Sequence, residues 1–275
     1  FWDMFKFFRR VRQALLSESK FSKYLLYALG EIVLVMIGIL LALQVNNWNE
    51  QRKLSRELDS FASAMIHDLE NDITALDIGI RQTKAAYLLL DSLITYSRNL
   101  QNINEAINID VYLLSSRNSY RAIAWSRSTF EELKNSGALR YVENDSLLSL
   151  LNRYEALTYH LDKDLTYDDE SAKIFGSSIR KVIDFNYPQS ANLLPNWYNM
   201  PVDGIPDFNT LEHYQKYRSN DLELLTDNLN ELKIAVNHAI PLSFGIRIRA
   251  ENEFPNAKQM ATKIIQLLRK EYELK

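Results

Sequence analysis

Residues 24–45 of the chain read YLLYALGEIVLVMIGILLALQV, an apolar run interrupted by a single charge. In a helix that rises about 1.5 Å per residue, roughly 20 apolar residues match the ~30 Å hydrocarbon core of a bilayer. Tyr24, Tyr27 and Trp48 lie at the two ends of the run, where aromatic rings prefer the membrane interface. The run therefore predicts one transmembrane helix, since the buried helices of soluble proteins rarely hold so long an apolar stretch.

The charges on the two sides of this run predict an orientation. Residues 1–23 carry six basic residues, which are Lys6, Arg9, Arg10, Arg12, Lys20 and Lys23. The basic residues after the run are diluted by acids, and its exit offers no convincing signal-cleavage site. Because basic residues favour the cytoplasmic side, we expect 1–23 in the cytoplasm, an anchor retained in the cytoplasmic (inner) membrane, and 46–275 in the extracytoplasmic space or periplasm.

The basic segment also has an amphipathic pattern. Phe5, Phe8, Val11 and Leu15 recur at helical spacing, and Arg9, Arg10 and Arg12 occupy the remaining surface. This pattern predicts a short helix in the membrane interface, with arginines near lipid head groups and phenylalanines in the acyl boundary. A disordered basic tail is the alternative.

Glu31 lies about 10 Å inside the predicted span, where an ionised carboxylate is costly. At helical spacing it shares a face with Ala28, Val35, Gly38, Ala42 and Val45. Gly38 and Ala42 form a small-xxx-small pair, which allows a second helix to approach closely. We predict that this face contacts another transmembrane helix, in a homo-oligomer or from a different subunit. A snorkelling carboxylate and a proton or ion relay are the alternatives.

Helix-breaking residues are scarce after the anchor, because 48–99 contains no proline and one glycine. The anchor is therefore predicted to continue as a helix to about Asn99. Its apolar stripe consists of Leu54, Leu58, Phe61, Met65, Leu69, Ile73, Leu76, Ile80, Tyr87, Leu90 and Ile94. Such a stripe packs either against later helices of the same chain or against a second copy.

The rest of 46–275 predicts further helices. Ser128 and Glu131 have capping-box spacing before a small helix that ends at Gly137, and a long helix starts near Asn144. We expect another helix from Asn220 to Pro241 and a last one from about Pro255. The fold class is thus all-α, with the transmembrane helix continuing into an elongated antiparallel bundle of four main helices.

Residues 186–209 interrupt this pattern, since they contain Pro188, Pro195, Pro201 and Pro206. Proline lacks the N–H that a helix interior requires, so we predict an irregular crossing over one end of the bundle. Trp197 and Tyr198 make this crossing a candidate ligand-binding or partner-binding loop.

Sequence motifs for catalysis are not found. The chain has no cysteine, and none of its four histidines forms the Glu-x-x-His or His-x-x-x-His spacing of a metal-binding helix. His160 and Asp164 can touch on a helix surface, which we interpret as a structural contact. The acidic run Asp162, Asp164, Asp168, Asp169 and Glu170 lacks the glycine of a calcium loop and is interpreted as a solvated helix face. We therefore predict no catalytic, cofactor or metal site, and the acidic balance of 46–275 predicts no nucleic-acid binding.

Two stretches resemble a known family. KYLLYALGEIVLVMIGILLALQVNNWNEQRK (23–53), preceded by FKFFRRVRQALL (5–16), resembles the N-terminus of an uncharacterised family of bacterial single-pass membrane proteins, a domain of unknown function. STFEELKNSGALRYVENDSLLSLLNRYE (128–155) is similar to a second stretch of that family. The resemblance implies an N-terminal anchor, a helical extracytoplasmic domain and a characteristic pattern of Glu31, Gln44, Asn46, Asn47, Trp48 and Asn49, but no activity.

From these observations we expect a non-enzymatic interaction protein, an oligomeric scaffold or an accessory subunit of a membrane complex. Its partners would be membrane lipid and other transmembrane helices. A ligand-sensing bundle that signals through a partner is the first alternative, and an envelope enzyme with its cleft near Trp197 is the second.

Overall fold

The computed structural model describes residues 9–10, 13, 21–187, 193–196, 200–201 and 204–274. The regular secondary structure of these residues is entirely helical, which confirms the all-α prediction. Most of the predicted interfacial helix lies outside the described residues, as do Trp197 and Tyr198.

Eight α-helices follow one another along the described chain. They are α1 (Phe21–Asn99), α2 (Asn108–Ser115), α3 (Ser128–Asn135), α4 (Asp145–Ile179), α5 (Tyr214–Ser219), α6 (Leu229–Asn237), α7 (Ala239–Ile248) and α8 (Phe254–Glu271). Short 3-10 turns cover Ile103–Glu105, Ala138–Tyr141 and Phe208–Thr210. A π-helix, Arg249–Glu253, joins α7 to α8 without a break.

The chain divides into two compact units, and the first ends at Ser60. It contains a helical segment that is long and apolar enough to cross a membrane. From Leu29 to Val45 the large apolar side chains are 47% to 63% exposed, with no protein core covering them. This unit therefore has the apolar surface that the transmembrane prediction requires.

The second unit begins at Phe61 and contains the hydrophobic core. The part of α1 in this unit buries Met65, Leu69, Leu76 and Tyr87, all from the predicted stripe. Helix α4 packs against α6, α7 and α8. The stripe of α1 thus packs within its own domain, as the first of the two alternatives requires.

The predicted helix from Asn220 to Pro241 is wrong at both ends. Residues 220–228 are not helical, because Asp221 accepts hydrogen bonds from the Ile109 N–H at 3.1 Å and from the Tyr187 hydroxyl. Helix α6 begins only after Asn228, whose side chain accepts a hydrogen bond from the Asn230 N–H. Pro241 does not end a helix but lies in the first turn of α7, where the missing N–H would have had no acceptor.

The small helix α3 is confirmed, but the predicted capping box is not. Ser128 is the first helical residue, and the residue before it makes no side-chain cap. Gly137 follows the helix with a φ of 75°, the left-handed conformation expected at that position.

Gly245 permits close packing of α7 on α4. A Cβ atom at Gly245 would lie 2.5 Å from Oδ1 of the buried Asp168. No real Cβ atom tolerates such a contact, so glycine is required here for a steric reason.

We expect Gly245→Ala to lower the free energy of unfolding by about 1–3 kcal/mol, the usual cost of overpacking a core. Gly176 in α4 provides a matched control, because a Cβ there would meet no atom within 4 Å. Gly176→Ala should stabilise the helix by about 0.5–1 kcal/mol. Chemical denaturation of both variants checks this, and equal stabilities would contradict the packing described.

Candidate functional site

Five tyrosine–carboxylate hydrogen bonds link the elements of the second unit. The pairs are Tyr87 with Glu251, Tyr120 with Asp168, Tyr154 with Asp72, Tyr187 with Asp221, and Tyr214 with Asp110. In each pair the phenol donates to a carboxylate oxygen of a different part of the chain. Hydrogen bonds to a charged acceptor are stronger than neutral ones, so these pairs fix how the helices pack.

Asp72 on α1 is the most deeply buried of these carboxylates, with 1% of its surface exposed. Its two oxygens accept hydrogen bonds from the Ser126 N–H and from the Tyr154 hydroxyl, each at 2.8 Å. Burial raises the pKa of Asp72, although these hydrogen bonds act in the opposite direction. Asp72 therefore connects α1, α4 and the segment before α3.

A second polar cluster surrounds Arg249, which is 8% exposed and lies in the π-helix. Its guanidinium pairs with Glu253, and its Nη2 lies 3.3 Å from Oδ2 of Asp164. Its Nε lies 3.4 Å from Oδ2 of Asp168, which also accepts a hydrogen bond from the Tyr120 hydroxyl at 2.8 Å. One guanidinium therefore joins three carboxylates from α4 and the π-helix.

Burial and charge act in opposite directions in the Arg249 cluster. Burial raises the pKa of Asp168, while the Tyr120 hydrogen bond and Arg249 oppose that increase. Burial also disfavours the charged form of Arg249, but the carboxylates of Asp168, Glu253 and Asp164 outweigh burial and raise its pKa. Arg249 is therefore a buried cation, held charged by its neighbours.

His160 lies at the outer edge of the Arg249 cluster. Its Nε2 is 3.1 Å from Oδ2 of Asp164, one helical turn along α4, and 3.4 Å from Oε1 of Glu253. One ligand atom from each of these three residues lies within 4.8 Å of the others. Among the described residues, these three form the group that offers ligands to a metal ion. The side chain of His160 is 55% exposed, so the group is open to solvent on that side.

The sequence did not predict the Arg249 cluster, for two reasons. The interpretation of the acidic run as a solvated face is wrong for Asp164 and Asp168, which are 8% and 7% exposed. They continue the buried stripe that Tyr154, Thr158 and Leu161 form on α4, a periodicity that points to burial. Arg249 and Glu253 have no such signal, because the π-helix changes which residues face α4.

Another member of the acidic run has a separate role. Asp162 forms an ion pair with Arg127 at 2.6 Å and accepts a hydrogen bond from the Trp125 indole N–H at 3.0 Å. It fastens the segment before α3 to α4 and takes no part in the Arg249 cluster.

The predicted contact face of the anchor lies on α1. Ala28 and Glu31 are partly buried, whereas Val35, Gly38 and Ala42 are exposed. A Cβ on Gly38 would meet nothing within 4 Å. These residues therefore share one helix, with the small residues accessible.

The structure describes all of the residues predicted at the membrane interface except Arg12. Tyr24 and Tyr27 belong to α1, with Tyr27 partly buried. The Trp48 side chain is exposed, and the guanidinium of Arg52 lies 5.8 Å from its ring centre. Arg9 and Arg10 are exposed, and Arg12 lies outside the described residues.

The second unit also contains an open cleft of about 670 Å³ between α1, α2, α5 and residues 205–209. Asp91, Asp110 and Tyr96 line it. The two carboxylates already have partners, since Ser243 donates to Asp91 at 2.6 Å and Tyr214 donates to Asp110 at 2.5 Å. The cleft therefore offers a ligand space and aromatic surface, whereas its two carboxylates are already hydrogen-bonded.

Comparison with known proteins gives one match. A family model described as a family of unknown function (DUF6090) matches residues 31–184, more than half of the chain. No curated protein and no solved structure matches. The matched range includes His160, Asp164 and Asp168 and ends before the π-helix that carries Arg249 and Glu253.

Burial of Asp72 predicts a pH dependence of stability. Its folded pKa is raised, so between the unfolded value of about 3.9 and the folded value the folded state binds more protons. The contribution of Asp72 to the free energy of unfolding must then fall as pH rises through that window. Asp72→Asn removes this titration and keeps one acceptor oxygen for the Ser126 N–H, while its amide N–H can donate to the Tyr154 hydroxyl oxygen.

We therefore expect Asp72→Asn to gain stability relative to the unmodified chain as pH rises from about 4 to about 7, measured by urea denaturation in detergent. Asp77→Asn, at an exposed position of the same helix, should show no such gain. A stability difference for Asp72→Asn that stays constant with pH is the result that contradicts the prediction.

Proposed function

We propose that this chain, which belongs to the family of unknown function DUF6090, is a membrane-anchored interaction protein that acts as an oligomeric scaffold or accessory subunit of a membrane complex. The observation that carries the proposal is the apolar segment from Leu29 to Val45, whose large apolar side chains are all exposed. Exposed apolar surface of this kind requires lipid or another protein around it.

The contact face supports a partner helix in addition to lipid. A carboxylate at the depth of Glu31 is costly against hydrocarbon, so protein contact on that face lowers its cost. Gly38 and Ala42 are exposed one turn apart, which leaves room for a second backbone to approach. Small residues beside a polar group are typical of association between transmembrane helices.

The proposed location is the cytoplasmic membrane, with the basic N-terminal segment inside and the second unit outside. The support is the excess of lysine and arginine before the apolar segment. The second unit is suited to an interaction role, because its buried carboxylates are engaged by tyrosines and arginines that stabilise one arrangement of helices.

A ligand-sensing role is the second candidate, and the cleft beside α5 favours it. Its volume of about 670 Å³ falls within the range of small-molecule sites, and Tyr96 and Tyr214 line it. A bulky substitution at Thr95, which also lines the cleft, tests this role. Thr95→Trp should remove any small molecule that co-purifies with the chain, detected by mass spectrometry, and a retained molecule would place it elsewhere.

The contact face can be tested in native membranes. Glu31→Leu should leave insertion intact, because it makes the span more apolar, and Gly38→Ile should block close approach by its bulk. We expect both variants to shift the complex toward monomer when gently extracted protein is analysed by native mass. Gly30→Ile makes the same substitution on another face of α1, where a Cβ also meets no atom, and should leave the complex intact.

The native mass also distinguishes the two forms of the proposal. A multiple of the 32.1 kDa chain indicates a homo-oligomeric scaffold, and other membrane subunits in fixed ratio indicate an accessory subunit. Unmodified protein that extracts only as a monomer would contradict both.

The orientation of the chain in the membrane can be tested by labelling an introduced cysteine, because the unmodified chain has no cysteine that would react. Ser219→Cys places a thiol at an exposed position of the second unit, and we expect a membrane-impermeant maleimide to label it in intact spheroplasts. Ser17→Cys in the basic segment should react only after lysis. The reverse labelling pattern would place the second unit in the cytoplasm.

A further inference from the structure

We propose that His160, Asp164 and Glu253 bind a divalent transition-metal ion, with Zn²⁺ as the best fit and Mn²⁺ next, where α4 meets the π-helix. This site is separate from the anchor and does not depend on the interaction role. Three features support the site: the spacing of its ligand atoms, a buried carboxylate oxygen that accepts no hydrogen bond, and an excess of negative charge around it.

Two of the distances between the ligand atoms match the spacing that one ion requires, and all three atoms lie within 4.8 Å of one another. Ligands of Zn²⁺ lie about 2.0–2.2 Å from the metal, so two ligands of the same ion are roughly 3.0–3.6 Å apart. His160 Nε2 lies 3.1 Å from Asp164 Oδ2 and 3.4 Å from Glu253 Oε1. A small adjustment of the exposed imidazole therefore suffices to place an ion between them.

The second observation is a buried oxygen, Oδ2 of Asp164, that takes part in ion pairs but accepts no hydrogen bond. Asp164 is 8% exposed, yet its Oδ2 accepts no hydrogen bond. His160 Nε2 and Arg249 Nη2 lie 3.1 Å and 3.3 Å from this oxygen, but neither is aligned to donate. A buried acceptor without a donor is costly. A cation bound by this same oxygen would satisfy it.

The charge around the site is also unbalanced. Asp164, Asp168 and Glu253 contribute three negative charges, and Arg249 supplies one positive charge. The neighbouring Tyr120 stays neutral, because burial and the Asp168 charge raise its pKa. Three carboxylates and one guanidinium leave an excess of two negative charges when His160 is neutral, and a divalent ion neutralises that excess.

The surrounding residues support the ligands as a second layer. Arg249 contacts both Asp164 and Glu253 and fixes the positions of the two carboxylates. The π-helix places Arg249 and Glu253 on one face toward α4, and π-helices occur often at functional sites. The exposed side of His160 leaves coordination positions for water or a further ligand.

The donor set indicates the class of metal. One imidazole with two carboxylates suits Zn²⁺ and Mn²⁺, while Mg²⁺ and Ca²⁺ prefer oxygen ligands alone. The competing arrangement contains no metal, and His160 contacts the two carboxylates directly. The two arrangements differ in whether the chain takes up a metal ion.

The test uses the full chain in detergent, treated with chelator and then dialysed against Zn²⁺, Mn²⁺, Mg²⁺ or Ca²⁺ separately. We expect one Zn²⁺ per chain, a rise in Tm on binding, weaker Mn²⁺ binding, and no uptake of Mg²⁺ or Ca²⁺. His160→Ala should weaken Zn²⁺ binding by at least about tenfold. His67→Ala removes an exposed histidine of α1 and should leave binding unchanged.

Each outcome decides the question. No Zn²⁺ or Mn²⁺ uptake by the unmodified chain would overturn the proposal and favour the metal-free arrangement. Equal binding by His160→Ala and His67→Ala would overturn it too, because the ion would then be bound elsewhere. A Glu253→Gln variant would not test the site alone, because it also removes a partner of Arg249. The second measurement is therefore the visible absorption spectrum of Co²⁺ added to the unmodified chain. Bands typical of four or five nitrogen and oxygen ligands are expected, and the spectrum of hydrated Co²⁺ would contradict the site.

Discussion

The packing of the second unit depends on one buried cation, Arg249. A guanidinium removed from water is costly unless charged partners surround it, and Asp164, Asp168 and Glu253 provide them. To reach these partners the chain forms a π-helix between α7 and α8, which presents Arg249 and Glu253 together toward α4. Asp168 in turn approaches α7 so closely that only glycine fits at position 245. The charge cluster, the π-helix and the glycine are therefore parts of one constraint.

The tyrosine–carboxylate pairs extend this constraint across the unit. Asp72 connects α1 to α4 through Tyr154, and Glu251 of the π-helix connects to α1 through Tyr87. Tyr214 joins α5 to α2 in the same way, through Asp110, and the Tyr187 hydroxyl accepts a hydrogen bond from the Asn108 amide of α2. Helices of an all-α unit can slide along apolar stripes, since such contacts are non-directional. Hydrogen bonds to buried carboxylates select one register, which gives an interaction domain or a metal site a defined geometry.

The two units follow the same helical periodicity but bury their apolar residues differently. In the second unit the stripe of α1 is covered by helices of the same chain, and in the first the large apolar side chains from Leu29 to Val45 are exposed. A helix that is apolar all around needs an apolar environment, which a bilayer provides. The one charged residue of this segment, Glu31, lies on the face with the small residues Gly38 and Ala42, and this combination underlies the proposal of a partner helix.

The sequence alone determined the all-α class, the long apolar helical segment, the continuation of α1 to Asn99 and the left-handed Gly137, because each follows from local periodicity or local backbone preference. It did not determine where α6 and α7 begin, since Asp221 and Asn228 are held by contacts and caps that compete with helix formation at 220–228. The periodicity of α4 indicates the burial of Asp164 and Asp168, but their meeting with Arg249 and Glu253 was decided by tertiary structure only. The physical reason is that a buried charge depends on partners from distant parts of the chain, and the spacing of residues in one segment carries no record of them.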